Sequence, residues 1–165
     1  MAKQEYKTLY DLLILKLQAL YDIENELVKA LPKMIKKATE LELQQALDRH
    51  LQETYKHIER LERSFAALGM KPQKIKCEGI RGIIDDAEWN MKHMETPQTV
   101  DANIISSARY AEHYEMAGYS SLIEWADLLQ KNDIAEYLKK TLEEEQNAEK
   151  TLQQLAMTKI NMAAQ

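Results

Sequence analysis

Apolar residues recur at intervals of three and four along almost the whole chain, and this spacing leaves the helix as the regular structure the sequence can supply. The first stripe runs Leu9, Leu13, Leu17, Leu20, Glu24, Leu27, Leu31 and Ile35 and predicts a helix from Glu5 to Lys37. Pro32 lies inside it and predicts a kink or an early end near Leu31, because proline removes a backbone donor and crowds the preceding turn. A second stripe, Leu43, Leu47, His50, Thr54, His57, Leu61, Phe65 and Leu68, predicts a helix over 42–68 with Gly69 as its stop. Ile75 to Met94 carries a shorter amphipathic pattern, interrupted by Gly79 and Gly82. Pro97, just after Thr96, opens a long stripe through Ile104, Ala108, Ala111, Glu115, Tyr119, Leu122 and Leu129. A short turn at Lys131-Asn132-Asp133 leads to a last helix with Leu138, Leu142, Glu145, Glu149, Leu152 and Ala156, and the polar tail after Ile160 is expected to fray.

The expectation is therefore an all-α fold, with one domain over residues 1–165. Four Gly and three Pro, against 45% hydrophobic and 30% charged residues, suit a globular helical chain. The short turn near residue 132 makes its two helices antiparallel neighbours. The segment at 75–94 then serves as a connecting helix in the long crossover that a bundle needs between two parallel members.

Into the middle of these apolar stripes the sequence sets carboxylates: Glu24, Glu53, Glu115 and Glu145. Burying an ionised carboxylate is costly unless it is paired or coordinates a metal. At about 100° per residue, Glu24, Glu115 and Glu145 fall well inside their stripes. Glu53 lies nearer the edge of its own, flanked on the same face by His50 and His57, and Glu112 is one turn from Glu115. Carboxylates on four helices, with imidazoles beside them, approximate the ligand set of di-iron and di-manganese bundles. Oxygen donors with one or two imidazoles suit iron first, as two ions, and manganese second. The competing readings are buried salt bridges to Arg109 or Lys56, protonated carboxylates, and histidines that are simply hydrogen-bonded in the core.

Other candidates carry less. In the run Glu143, Glu144 and Glu145, helical phase selects Glu145 as inward and leaves the rest to solvent; Glu149 lies one turn further along as a neighbour of the site. Tyr21, Tyr55, Tyr114 and Tyr119 are read as packing residues, one of which stands to donate a hydrogen bond near the metals. The eight Met read as core fillers, and Cys77, near Lys74, Lys76 and Arg81, is a weak candidate for a reactive thiol. Trp89, Met91 and Met94 offer an apolar patch for a dimer or partner, with burial against the other helices as its favoured fate.

A net charge of −5 disfavours nucleic-acid binding, and a lone Cys excludes an intramolecular disulfide framework. The opening Met-Ala-Lys-Gln-Glu lacks the apolar run of a signal peptide, and nowhere do roughly eighteen apolar residues stand together. The expectation is a cytoplasmic protein that binds neither nucleic acid nor membrane.

The blocks His50-Leu51-Gln52-Glu53-Thr54 with His57 and Arg60-Leu61, Lys76-Cys77-Glu78-Gly79, Glu112-His113-Tyr114-Glu115-Met116-Ala117 with Tyr119, and Thr141-Leu142-Glu143-Glu144-Glu145 resemble the YciF-like bacterial stress proteins. The likeness covers essentially the whole chain. It implies a ferritin-like, rubrerythrin-related fold: an antiparallel four-helix bundle with an additional helix in the crossover between the second and third bundle helices, assembled as a homodimer. It also implies a di-metal centre, with Glu24, Glu53, Glu112, Glu115 and Glu145 at the acidic positions and His50 and His57 as candidate imidazole ligands. This chain departs from ferritins and rubrerythrins in lacking their Glu-x-x-His spacing, since Lys56 stands three after Glu53, and His57 replaces a Gln common in relatives. In the expected centre Glu24 and Glu145 are terminal ligands, Glu53 and Glu115 bridge, and oxygen or peroxide is the small-molecule substrate of an Fe(II) oxidation or peroxide reduction. A structural or partner-binding stress protein with an empty or vestigial site is the alternative.

Overall fold

The computed structural model describes residues 6–165, all of whose regular structure is helical. α1 spans Leu9–Lys37, α2 Leu41–Ala67, α3 Glu78–His93, α4 Pro97–Leu128 and α5 Asn132–Leu155. The predicted start of the first helix at Glu5 lies outside the described residues. Within them α1 begins after Thr8, whose side chain accepts from the Asp11 amide at 3.1 Å while the Asp11 carboxylate accepts from the Thr8 amide at 2.9 Å. This reciprocal box satisfies amides that a helix start otherwise leaves unpaired. The predicted end at Lys37 holds: α1 continues through Pro32 without the early stop that the proline offered. Leu27, Ala30, Leu31 and Met34, all buried, hold both sides of the proline against the core.

The stops are local. α2 ends with Gly69 at φ +69°, its amide bonded to the Ala66 carbonyl at 2.9 Å and that of Met70 to Phe65 at 2.9 Å, the paired bonds of a left-handed helix terminus. α4 ends the same way, with bonds from Gln130 to Asp127 (3.1 Å) and Lys131 to Ala126 (2.8 Å), but there the left-handed residue is Gln130 at φ +56°. At its other end, Thr96 caps Thr99 and Pro97 occupies the first helical position. Beyond α5 the helix widens into one π turn over Ala156–Ile160 and ends in Asn161–Ala163. The tail after Ile160, expected to fray, is thus helical to Ala163. Buried Ala156 and Ile160 fix this end, and Lys159 bridges to Glu40 (2.6 Å) and Glu42 (2.9 Å) at the start of α2.

Cross-helix contacts give the register. Tyr21 meets Glu62 and Glu24 meets His57, so α1 and α2 run antiparallel. Glu24 with Tyr119 and Thr39 with Asp101 do the same for α1 and α4. Arg60 with Thr141 and Lys159 with Glu40 orient α2 against the α5 end of the chain; Arg109 with Glu149 and Lys139 with Asp127 orient α4 against α5. The four long helices therefore close a ring, with α3 packed outside against α4 and α1. Asp22 ties α3 down, accepting from the Cys77 amide at 2.9 Å and from Arg81 at 2.6 and 3.2 Å.

Glu24, His57, Glu115 and Glu145 each fall near the middle of their helix, so the ring carries one polar level between two apolar ones. Leu17, Leu61, Phe65, Leu122 and Leu138 lie on one side; Leu31, Leu47, Ile104 and Leu152 lie on the other. Burying each such side chain contributes about 1.5–3 kcal/mol. These levels stabilise the scaffold that keeps the carboxylates out of water.

Candidate metal centre

Six of the seven predicted ligand residues converge. Glu24, His57, Glu115 and Glu145 are wholly buried, and Glu112 and His50 nearly so. Their donor atoms fall into two groups, Glu24–His57–Glu145 and His50–Glu112–Glu115–Glu145, within each of which one donor atom from every residue lies within 4.8 Å of the others. Glu145 is common to both. Glu53 stands apart: its side chain is 34% exposed and its Oε2 lies 4.0 Å from His50 Nδ1. Glu53 therefore lies at the rim of the two groups.

His57 Nδ1 lies 3.1 Å from Glu145 Oε1 and 3.4 Å from Glu24 Oε1, and its Nε2 lies 3.0 Å from Glu144 Oε2. His50 Nε2 lies 3.3 Å from Glu112 Oε1. Tyr119 is the tyrosine that serves the site, donating to Glu24 in a very short bond. Tyr21 instead donates to Glu62 near the surface, Tyr55 is exposed, and Tyr114 reaches Cys77 Sγ at 3.3 Å.

The salt-bridge alternatives take other partners. Arg109 binds Glu149 at 2.9 and 2.7 Å, which turns Glu149 to α4 rather than to the cluster, and Lys56 is exposed. The cation beside the site is Arg60, held bidentate by Glu144 at 2.5 and 2.9 Å and donating to Thr141 at 3.1 Å. Helical phase alone left Glu144 to solvent. The signal that could have found it was Arg60 with His57 on α2, two groups that ask for a carboxylate from the facing helix.

Protons are distributed unevenly over the metal-free cluster. Burial, reinforced by the Glu145 charge, holds the Glu112 and Glu115 carboxyls well above the ordinary carboxylate range. Burial acts on Glu145 in the same direction, but His57 and His50 outweigh it and bring Glu145 down to about 2. Burial would also lower His57; the Glu24 charge, with Glu144 and Glu145, overrides it and pushes the imidazole up to about 12. Burial and then Glu24 raise the Tyr119 phenol well above 10.0.

The donor set fits a metal on a second count. Glu24 Oε2, Glu112 Oε2, both oxygens of Glu115, Glu145 Oε2 and Nδ1 of His50 are buried without a hydrogen-bond partner in the protein, while His57 Nδ1 and Glu145 Oε1 have each other only as an ion-pair contact at 3.1 Å. Buried polar atoms are rarely left so, and here they share one level of the core. Two divalent cations would match the charge of Glu24, Glu112, Glu115 and Glu145 together.

The expected apolar patch divides. Met91 and Met94 are half-buried, but Trp89 stays 59% exposed, stacked on His93 at 4.0 Å between ring centroids. Its predicted burial fails because it occupies the outer side of a helix that buries only Ile80 and Ala87. Cys77 is buried, at the start of α3.

The chain belongs to the family described as Domain of unknown function (DUF892), which matches residues 8–165. It is 34% identical to Protein YciF of Escherichia coli (strain K12) over 160 residues, 96% of each chain. Among solved structures it is similar to YcfI from Rhodopseudomonas palustris, with a TM-score of 0.91 at 40% identity, covering 93% of this chain and 98% of that one. It is similar also to the E. coli stress protein YciF, with a TM-score of 0.90 at 34% identity, covering 94% and 99%. Among the described residues no helix is long and apolar enough to cross a membrane.

Proposed function

We propose that this chain is a ferritin-like antiparallel four-helix bundle, with α3 as the additional crossover helix of a single domain, and that it holds two metal ions, iron first and manganese second. The observation that carries the reading is the set of unpartnered buried oxygens and nitrogens on Glu24, His50, Glu112, Glu115 and Glu145. A pair of ferrous ions supplies two electrons at one place, the number that, with two protons, reduces hydrogen peroxide to water. The residues do the rest. Glu145 spans the two ligand groups, Glu24 and His57 close one side, and His50, Glu112 and Glu115 form the other. Glu112 and Glu115 hold protons that a cation would displace. The apolar levels on either side exclude bulk water.

The function that follows is cytoplasmic consumption of peroxide, or oxidation of Fe(II), under stress. It is tested by loading the purified protein with Fe(II) or Mn(II), measuring bound metal, and following peroxide and oxygen consumption in the parent, Glu53→Ala and Glu115→Ala. The expected parent binds about two ions per chain and consumes oxidant; Glu115→Ala loses both properties. A parent binding neither metal overturns the reading.

A second reading, a partner-binding stress protein with a vestigial site, is favoured by the exposed Trp89, Tyr110 and Leu128. Assembly as a homodimer rests on the same side chains, and sedimentation reads it. A folded protein that consumes no oxidant and gains no stability on metal addition decides for this second reading.

A further inference from the structure

The two ligand groups differ in their access to solvent. His50, Glu53 and Glu112 line an opening of about 80 Å³ between α2 and α5, together with Arg49, Ala148 and Thr151. A space of this size admits water molecules. A bare ion, a water or a hydrogen peroxide molecule fits. His50 Nδ1 lies 3.9 Å from Glu145 Oε2 and 4.0 Å from Glu53 Oε2, so no carboxylate braces it at hydrogen-bond distance.

The other group is shut and braced. Glu24, His57 and Glu145 expose no surface. Tyr119 fixes Glu24, while Glu144, itself locked by Arg60, which also donates to Thr141, fixes the His57 ring from its far nitrogen. Such bracing sets which imidazole nitrogen is free and where it points. On His57 the free nitrogen is Nδ1, facing Glu24 and Glu145.

We infer that the two metal positions are unequal: Glu24–His57–Glu145 is a sealed position that retains its ion, and His50–Glu112–Glu115–Glu145 is the exchangeable one, loaded through the α2–α5 port with Glu53 as its first carboxylate. This rests on the di-metal reading above. Glu144 and Arg60 are positioning residues for the sealed ion, and Ala148 and Thr151 set the width of the port.

Co(II) is the probe, followed by its visible absorption while excess EDTA removes it from the full-length protein. The expected release has two phases of equal amplitude, separated by about ten- to a hundredfold in rate, the scale on which ligand bracing alters metal binding. Ala148→Leu or Thr151→Val, checked for fold by circular dichroism, slows the fast phase alone. Glu144→Gln speeds the slow phase alone. Two ions leaving together, or port variants that leave the fast phase unchanged, overturn the inference and spare the di-metal reading. Failure of the parent to bind Co(II), Fe(II) or Mn(II) overturns both.

Discussion

Glu144 orients His57 from outside the core: its Oε2 lies 3.0 Å from His57 Nε2 and 2.5 Å from Arg60 Nη1. Glu144→Ala therefore strands Arg60, only a tenth exposed, without its counter-ion. Breaking a fully buried pair costs about 3–5 kcal/mol. With 21% of the Glu144 side chain exposed, water recovers part of this, and the expected loss is about 2 kcal/mol, read by urea unfolding.

The metal-free protein should be most stable in mildly acid solution. Glu112 and Glu115 keep protons that the unfolded chain releases near 4.5, so stability falls as pH rises past that value. His57, raised from 6.5 to about 12, contributes stability fully present below 6.5 and lost as pH climbs through the folded value. Glu144 and Glu145, lowered from 4.5 to about 2, contribute stability present above 4.5 and lost as pH falls toward 2. The maximum lies near 4.5, with a slope above it of roughly 1.4 kcal/mol per pH unit for each proton held, steepening past 6.5 where His57 adds its own. Thermal unfolding in EDTA across this range reads the curve, and loading with Mn(II) should release protons and reverse the slope.

Asp101 joins α4 to the α1–α2 turn. Its buried carboxylate accepts from the Thr39 amide (2.8 Å), the Thr39 hydroxyl (2.7 Å) and the Glu40 amide (3.0 Å). Asp101→Ala leaves these donors without an acceptor and should cost about 2–4 kcal/mol at equilibrium unfolding.

Gln130 holds a left-handed conformation that Gly69 adopts freely at the end of α2. Gln130→Gly should therefore stabilise the chain by up to about 1 kcal/mol, and raise the melting temperature by roughly 2–4 °C. A lowered melting temperature would mean that the Gln130 side chain contributes more than its backbone costs.

The long helices were legible because each carries an apolar stripe of the right period and a chemical stop. The inward carboxylates were legible for the same reason: Glu24, Glu115 and Glu145 interrupt those stripes near their centres. Helical phase resolves only which side of a helix a residue occupies, so Glu53, at the edge of its stripe, was read as a bridging ligand and lies at the rim. Glu144 was missed because its partners, His57 and Arg60, are far away in sequence and become neighbours only when α2 and α5 pair. Tyr119 could not be told from three other tyrosines until α1 and α4 met. The passage of α1 through Pro32 depended on packing at both sides of the proline, which local propensity does not encode.

Anomalous X-ray scattering at the iron and manganese edges, from crystals grown with each metal, tests the di-metal centre most directly. The prediction is two peaks in the core, one among Glu24, His57 and Glu145 and one among His50, Glu112, Glu115 and Glu145. Full-occupancy metal elsewhere with none between these residues, or no peak with either metal, would contradict it.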